Sequence, residues 1–194
     1  MTLTVLRAAD RKAVAWKNGG GVTREVAAWP PGSGFDDFTW RVSMAEVREA
    51  GPFSSFAGID RILAVLEGGL RLSVQDAGVF ELSPQGAPLA FDGAAPTSAE
   101  LLSGPVLDLN VMTRRGAARA HIDGAASLTY LPATAGVCVI VALADGVRVH
   151  GDGRVEDLGR YDAALTDASA RLEASADSPA LLISLTSPER LVTG

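Results

Sequence analysis

Residues 38–47 read FTWRVSMAEV, and the alternation in this stretch decides the fold class. Phe38, Trp40, Val42 and Met44 fall on one side of an extended chain, and Arg41, Ser43 and Ala45 on the other, because successive side chains of a strand point to opposite faces. One face is apolar and the other mixed. The rhythm spreads outward from there. Residues 60–74, DRILAVLEGGLRLSV, are two β-rich runs around Gly68-Gly69, a hairpin signal. VFELSPQGAPLAFDG and AELLSGPVLDLNVMTRR continue it, each broken by Pro or Gly. Helix is reduced to a turn or two at AEVREAG and a weak period at TDASARLEA. The chain therefore reads as all-β, a sandwich or barrel.

A small-residue stretch, GAARAHIDGAA (residues 116–126), looks like a connector, and the same design of short strands and Gly/Asp turns resumes beyond it. The expectation is two similar β-barrel halves, residues 1–116 and 117–194, with the N-terminal strand available to complete the second. The 194 residues are 47% hydrophobic, enough for a proper core. No apolar run approaches the ~20 residues of a bilayer span, and MTLTVLRAADRK lacks the pattern of a signal peptide, so a cytoplasmic protein with no membrane contact is expected. The single Cys138, inside GVCVIVALA, reads as a small buried hydrophobe.

Net charge is −6, which argues against nucleic acid as a partner. The charge is uneven: residues 1–120 hold 12 basic and 13 acidic side chains, residues 121–194 hold 5 and 10. A local positive site thus belongs in the first part. Only Lys12 and Lys17 are lysines, so its cations are guanidiniums, suited to bidentate recognition of carboxylates.

Three patterns supply candidate residues. In WKNGGGVTREVAAW (residues 16–29) three glycines sit between Lys17-Asn18 and Arg24-Glu25. This is neither a dinucleotide fingerprint nor a P-loop, and a tight turn or bulge explains it without a ligand. Arg24, Arg41 and Arg61 each stand on a strand beside apolar neighbours. For each singly, a salt bridge to Glu25, Glu46, Asp60 or Asp108 is the simpler reading; as a set they make a carboxylate pocket plausible. In VLDLNVMTRR, Leu107, Leu109 and Val111 share one face and Asp108 and Asn110 the other. If that face is not solvent, the pair suits a ligand bearing an amide. His121, in the connector, and His150, in RVHGDGR, lack a histidine partner at strand spacing, so a catalytic metal site is not expected and both read as surface residues. No G-x-S-x-G is present.

WKNGGGVTREVA, FTWRVSMAEV, GPFSSFAGIDRILAVLEG, FDG and DLNVMTRR, in order from Trp16 to Arg115, together resemble the HutD/Ves family of bacterial proteins. The resemblance implies a bicupin, two fused cupin-like barrels. It implies a modulator of histidine utilisation, not a pathway enzyme, that holds a small acidic intermediate such as formylglutamate with no metal and no other cofactor. Carried over by motif, the pocket residues are Lys17, Asn18, Arg24, Arg41, Ser43, Arg61, Asp108 and Asn110, with Gly20 bringing backbone N–H groups to a ligand carboxylate. A homodimer is expected by analogy with cupins. The alternative is a metal-independent cupin isomerase or hydrolase using Lys17 or Glu25 as proton carrier.

Overall fold

The computed structural model describes residues 3–17, 19–84, 86–132 and 136–186. Apart from one 3-10 turn at Ala8–Asp10, its regular elements are strands. In chain order they are β1 (Thr4–Leu6), β2 (Ala13–Ala15), β3 (Gly21–Trp29), β4 (Trp40–Val47), β5 (Gly51–Pro52), β6 (Ile59–Glu67), β7 (Leu70–Val74), β8 (Gly78–Leu82), β9 (Leu89–Asp92), β10 (Thr97–Leu101) and β11 (Val106–Arg114). There follow β12 (Arg119–Ala125), β13 (Thr129–Leu131), β14 (Gly136–Ala142), β15 (Val147–Gly151), β16 (Arg154–Leu158), β17 (Ala163–Thr166), β18 (Ala170–Glu173) and β19 (Ala180–Thr186). No helix is long and apolar enough to cross a membrane.

The chain divides into two compact units, Lys12–Gly116 and Met1–Arg11 with Ala117–Gly194. In the first, a six-stranded antiparallel sheet in the order β2-β3-β4-β11-β6-β9 accompanies a four-stranded sheet, β5-β10-β7-β8. Val47, Leu63, Val65 and Val106 of the larger sheet pack with Leu70, Leu72, Val74, Leu82 and Ala99 of the smaller in one core. Each such side chain contributes roughly 1.5–3 kcal/mol by leaving water. The opposite faces of β4 and β11 are buried too, at Val42, Met44, Leu109 and Val111.

The second unit pairs a five-stranded sheet, β1-β17-β14-β19-β12, with a four-stranded one, β13-β18-β15-β16. Its core joins Ile140, Ala142, Ala164, Ala180 and Leu182 to Val147, Val149, Leu158, Ala170 and Leu172. Cys138 packs against it, and burial pushes its thiol up to about 11. No sheet closes on itself among the described residues, so each unit is a pair of open, facing sheets.

Two local expectations are corrected. The runs around Gly68-Gly69 are not a hairpin: β6 pairs with β11 and β9, whereas β7 pairs with β10 and β8, so the glycines turn the chain from one sheet into the other. Gly68 has φ 79°, and a Cβ there would lie 2.7 Å from the Pro105 carbonyl oxygen. The supposed connector contains β12, which pairs along its whole length with β19; its small residues suit close strand packing as well as a linker. Thr4–Leu6 pairs with β17, within the second unit.

Candidate functional site

The register of the six-stranded sheet assembles the site in rows. On the face turned toward the four-stranded sheet, Val47 and Val106 form an apolar row with Gly21. One step along lie Thr23, Ala45, Asp108 and Val65. The next row is Glu25, Ser43, Asn110, Leu63 and Leu89, and the one after is Arg41, Met112, Arg61 and Phe91. Beyond these, Met112 joins Phe38 and Ile59 in a small separate cluster. A polar band therefore crosses an otherwise apolar inner face, between two hydrophobic clusters.

Arg61 is the centre of this band. It is 4% exposed, and its guanidinium faces the rings of Phe91 at 5.0 Å, Phe53 at 5.3 Å and Phe56 at 5.7 Å. Its Nε donates to Asn110 Oδ1 and its Nη1 to the Ser54 carbonyl, both at a long 3.4 Å. Among the described residues no carboxylate pairs with it. Burial lowers its pKa to about 10, partly opposed by the charge of Asp108. Asp108, 2% exposed, accepts no hydrogen bond among the described residues. Burial raises its carboxyl to about 7, with Arg61 pulling the other way. A buried cation and a buried acid thus share one face without touching, each short of partners. Ser43, 2% exposed, lies beside Asn110.

Arg41 is satisfied differently. Its Nε donates to Glu25 Oε2 at 2.8 Å, and its guanidinium lies 4.8 Å from the Phe35 ring. Phe35 stacks on Phe56 at 5.4 Å. A run of Arg41, Phe35, Phe56 and Arg61 therefore links the two guanidiniums through two rings.

Other expected residues stand elsewhere. Arg24 pairs in register with Met44, on the opposite face of the sheet from Arg41, and its Nη1 lies 3.7 Å from Glu46 Oε2. A β-bulge between Glu25 and Ala27 breaks the alternation that would otherwise relate β3 to its neighbour. Lys17 is exposed in the turn, and Asn18 lies outside the described residues. The glycines serve the turn: Gly19 has φ 76°, the Gly20 carbonyl accepts the Arg48 N–H, and a Cβ on Gly21 would lie 2.7 Å from the Glu46 carbonyl oxygen and 3.0 Å from the Trp16 ring. The phenylalanines were missed from sequence. Five of the six, Phe35, Phe38, Phe53, Phe56 and Phe91, stand against a guanidinium. Their scarcity, and the spacing of Phe53 and Phe56 in a Gly/Ser loop just before Arg61, were the available signal.

In the second unit an open groove of about 480 Å³ is lined by Tyr130, Leu131, His150, Ala170 and Arg171 among others. Its charges satisfy one another, since Glu173 Oε1 lies 2.9 Å from His150 Nε2 and accepts from Arg171 Nη2 at 3.0 Å. His121 is exposed beside Asp123. No group of three or more His, Cys, Asp or Glu side chains that could hold a metal ion occurs among the described residues. The inner face of the first unit, with two guanidiniums and one isolated buried carboxyl, does not fit the histidine and carboxylate donor sets of a transition metal.

A family model described as HutD matches residues 8–183. An uncharacterized 21.2 kDa protein from the hutC 3′ region of Pseudomonas putida is 39% identical over 162 residues, covering 82% of this chain and 84% of that one. Protein Ves of Cronobacter sakazakii is 38% identical over 109 residues, 55% of this chain and 58% of that one. The solved structure of HutD from Pseudomonas fluorescens SBW25 superposes with a TM-score of 0.84 at 32% identity, covering 95% of this chain and 98% of that one. In fold alone, a Cupin 2 conserved barrel domain protein from Leptotrichia buccalis matches with a TM-score of 0.59 at 12% identity, over 90% of this chain and 92% of that one.

Proposed function

The chain belongs to the HutD family, and on that premise we propose that it is a metal-independent binder of a small acidic metabolite, acting as a modulator of histidine utilisation and not as a pathway enzyme. The two units are read as the two barrels of a bicupin, with the ligand on the inner face of Lys12–Gly116. The single observation that carries this reading is Arg61: a guanidinium 4% exposed, boxed by three phenylalanine rings, with no carboxylate paired to it among the described residues. A buried charge without an opposite partner is costly, and an incoming carboxylate would remove that cost through charge-assisted hydrogen bonds. Arg41 supplies a second fork on the same face, while Ser43, Asn110 and Asp108 read an amide or formyl group. Formylglutamate fits that chemistry, with two carboxylates for two guanidiniums and one amide between. The enzyme alternative gains no support from its proton carriers, since Glu25 is bonded to Arg41 and Lys17 lies exposed in a turn.

Thermal unfolding with formylglutamate, formiminoglutamate, urocanate, histidine and glutamate tests this. At 100-fold over Kd a ligand of the native state adds about 2.7 kcal/mol, a rise of about 5–10 °C for a chain of this size. A rise for one acidic compound, insensitive to chelator and absent in Arg61→Met, is expected. No rise with any of them, or turnover of the compound that binds, overturns the proposal.

A further inference from the structure

Asp108 can accept from a ligand amide, but that role does not call for an ionisable group buried at 2% exposure. It sits in the same band as Arg61, one row beyond Asn110, with Ala45 and Val65 on either side. An amide reader needs only an acceptor, and Asn110 in the next row already provides one; a carboxyl sealed at 2% exposure, with no donor to hold it among the described residues, is an expensive way to add another. We propose that the site takes up its anionic ligand together with one proton, which resides on Asp108, so that the ligand binds more tightly as pH falls. This rests on the reading that Arg61 holds the ligand carboxylate.

The reasoning is electrostatic. In the free protein Arg61 is the cation that favours the ionised form of Asp108. A ligand carboxylate seated on Arg61 cancels that charge and places a second anion on the same enclosed face, and two carboxylates in one dry site do not both stay ionised. The proton comes from solvent to an Asp108 carboxyl oxygen, and no bond of the ligand changes. The surroundings offer no other relief. The charged groups in these rows are Arg61 on β6, Arg41 on β4 and Glu25 on β3, the last two bonded to each other; Glu67, at the exposed end of β6, lies past the bulge opposite Leu107, on the other face from Asp108. The facing sheet presents Leu70, Leu72 and Val74 from β7, Leu82 from β8 and Ala99 from β10, all uncharged. Phe91 and Leu89 of β9 are apolar too, and the Trp16 indole donates to Thr23. Since burial holds the free carboxyl at about 7, the uncomplexed site is anionic above neutrality and accepts a proton on binding, whereas below it the proton is already present.

Isothermal titration calorimetry with formylglutamate, whose own carboxyls are ionised throughout, tests the coupling at pH 5.5 and pH 8, each in two buffers of different ionisation enthalpy. Uptake approaching one proton per ligand at pH 8 and close to none at pH 5.5 is expected, with affinity falling toward tenfold per pH unit above neutrality. Asp108→Asn should exchange no proton at either pH, and whatever affinity it retains should no longer change between pH 5.5 and pH 8. Binding at both pH values without proton exchange in the wild type overturns this inference alone. No binding of formylglutamate at pH 5.5 overturns the ligand reading, and this inference with it. The wild-type titration decides the matter even if Asp108→Asn does not fold.

Discussion

Asp108 and Asp162 are both buried carboxyls, at 2% and 8% exposure, one in each unit, and their surroundings are opposites. Burial works to raise the pKa of each. At Asp162 the Ala8 N–H donates at 2.7 Å, Arg7 Nη1 at 2.8 Å and the Gly159 N–H at 3.1 Å, and together they outweigh burial and hold the carboxyl below its usual range. At Asp108 no donor stands among the described residues, and burial wins. The units around them differ in the same sense. Where the first unit sets Arg41, Ser43, Asn110, Arg61 and Asp108 across its sheet, the corresponding core of the second is filled by Ile140, Ala142, Ala164, Ala180 and Leu182. One arrangement of facing sheets thus holds a fully bonded acid in one unit, and in the other a face on which Arg41 pairs with Glu25 while Arg61 and Asp108 have no ion-pair partner among the described residues. What separates the two acids is therefore not burial, which they share, but the donors around them.

The largest test of this contrast is Asp162→Ala, which orphans three donors at once. It should cost about 3 kcal/mol, seen as a fall in Tm of roughly 6–12 °C. Asp108→Asn should act the other way, raising stability at pH 8 by about 2 kcal/mol in denaturant titrations, because it removes a buried charge with no hydrogen bond. Their pH profiles have opposite sign. Asp108, raised in the folded state from 3.8 to about 7, weakens the fold as pH climbs from about 4 to 7, with no further change above. Asp162, depressed, stabilises the fold above about pH 4, and that contribution disappears as pH drops through its folded value. A gain for Asp162→Ala, or a loss for Asp108→Asn at pH 8, breaks the comparison.

Smaller effects sharpen it. Arg61→Met should change stability by less than about 1 kcal/mol, the lost ring contacts offsetting the relief of a buried charge, while abolishing metabolite binding. Arg24→Ala, on the outer side of the same sheet, should cost no more than about 0.5 kcal/mol and leave binding intact, since a half-exposed ion pair at 3.7 Å contributes little. A binding defect in Arg24→Ala would return that residue to the pocket and discredit the register argument.

Much of the frame was legible in the chain. The alternation of FTWRVSMAEV and VLDLNV correctly placed Arg41 with Ser43, and Asp108 with Asn110, on shared faces, because side-chain direction follows from residue parity alone. What parity cannot carry is anything non-local. The bulge in β3 shifts the phase partway along a strand, so Arg24 looked equivalent to Arg41 until the pairing with β4 was known. The turn at Gly68-Gly69 has the composition of a hairpin, and only the partners of β6 and β7 show that it changes sheets. Phe53 and Phe56 sit in a loop with no period to flag them, and their meaning depends on a guanidinium several residues away. Which arginines are neutralised within the protein was equally hidden: Glu25 does so for Arg41 and Glu46 for Arg24, and for Arg61 none among the described residues does.

The pairing of Thr4–Leu6 with β17 carries a consequence for how the protein is made. Leu6 lies opposite Ala163, so this strand finds its place only after roughly 160 further residues have been added. At about 5–20 residues per second that is a wait of roughly 8–30 s. Residues 12–116 are contiguous and meet no such delay. During synthesis the half bearing Arg61 has all its strands in hand while the other still lacks its own, and Thr4–Leu6 must stay unpaired through that interval without being captured elsewhere.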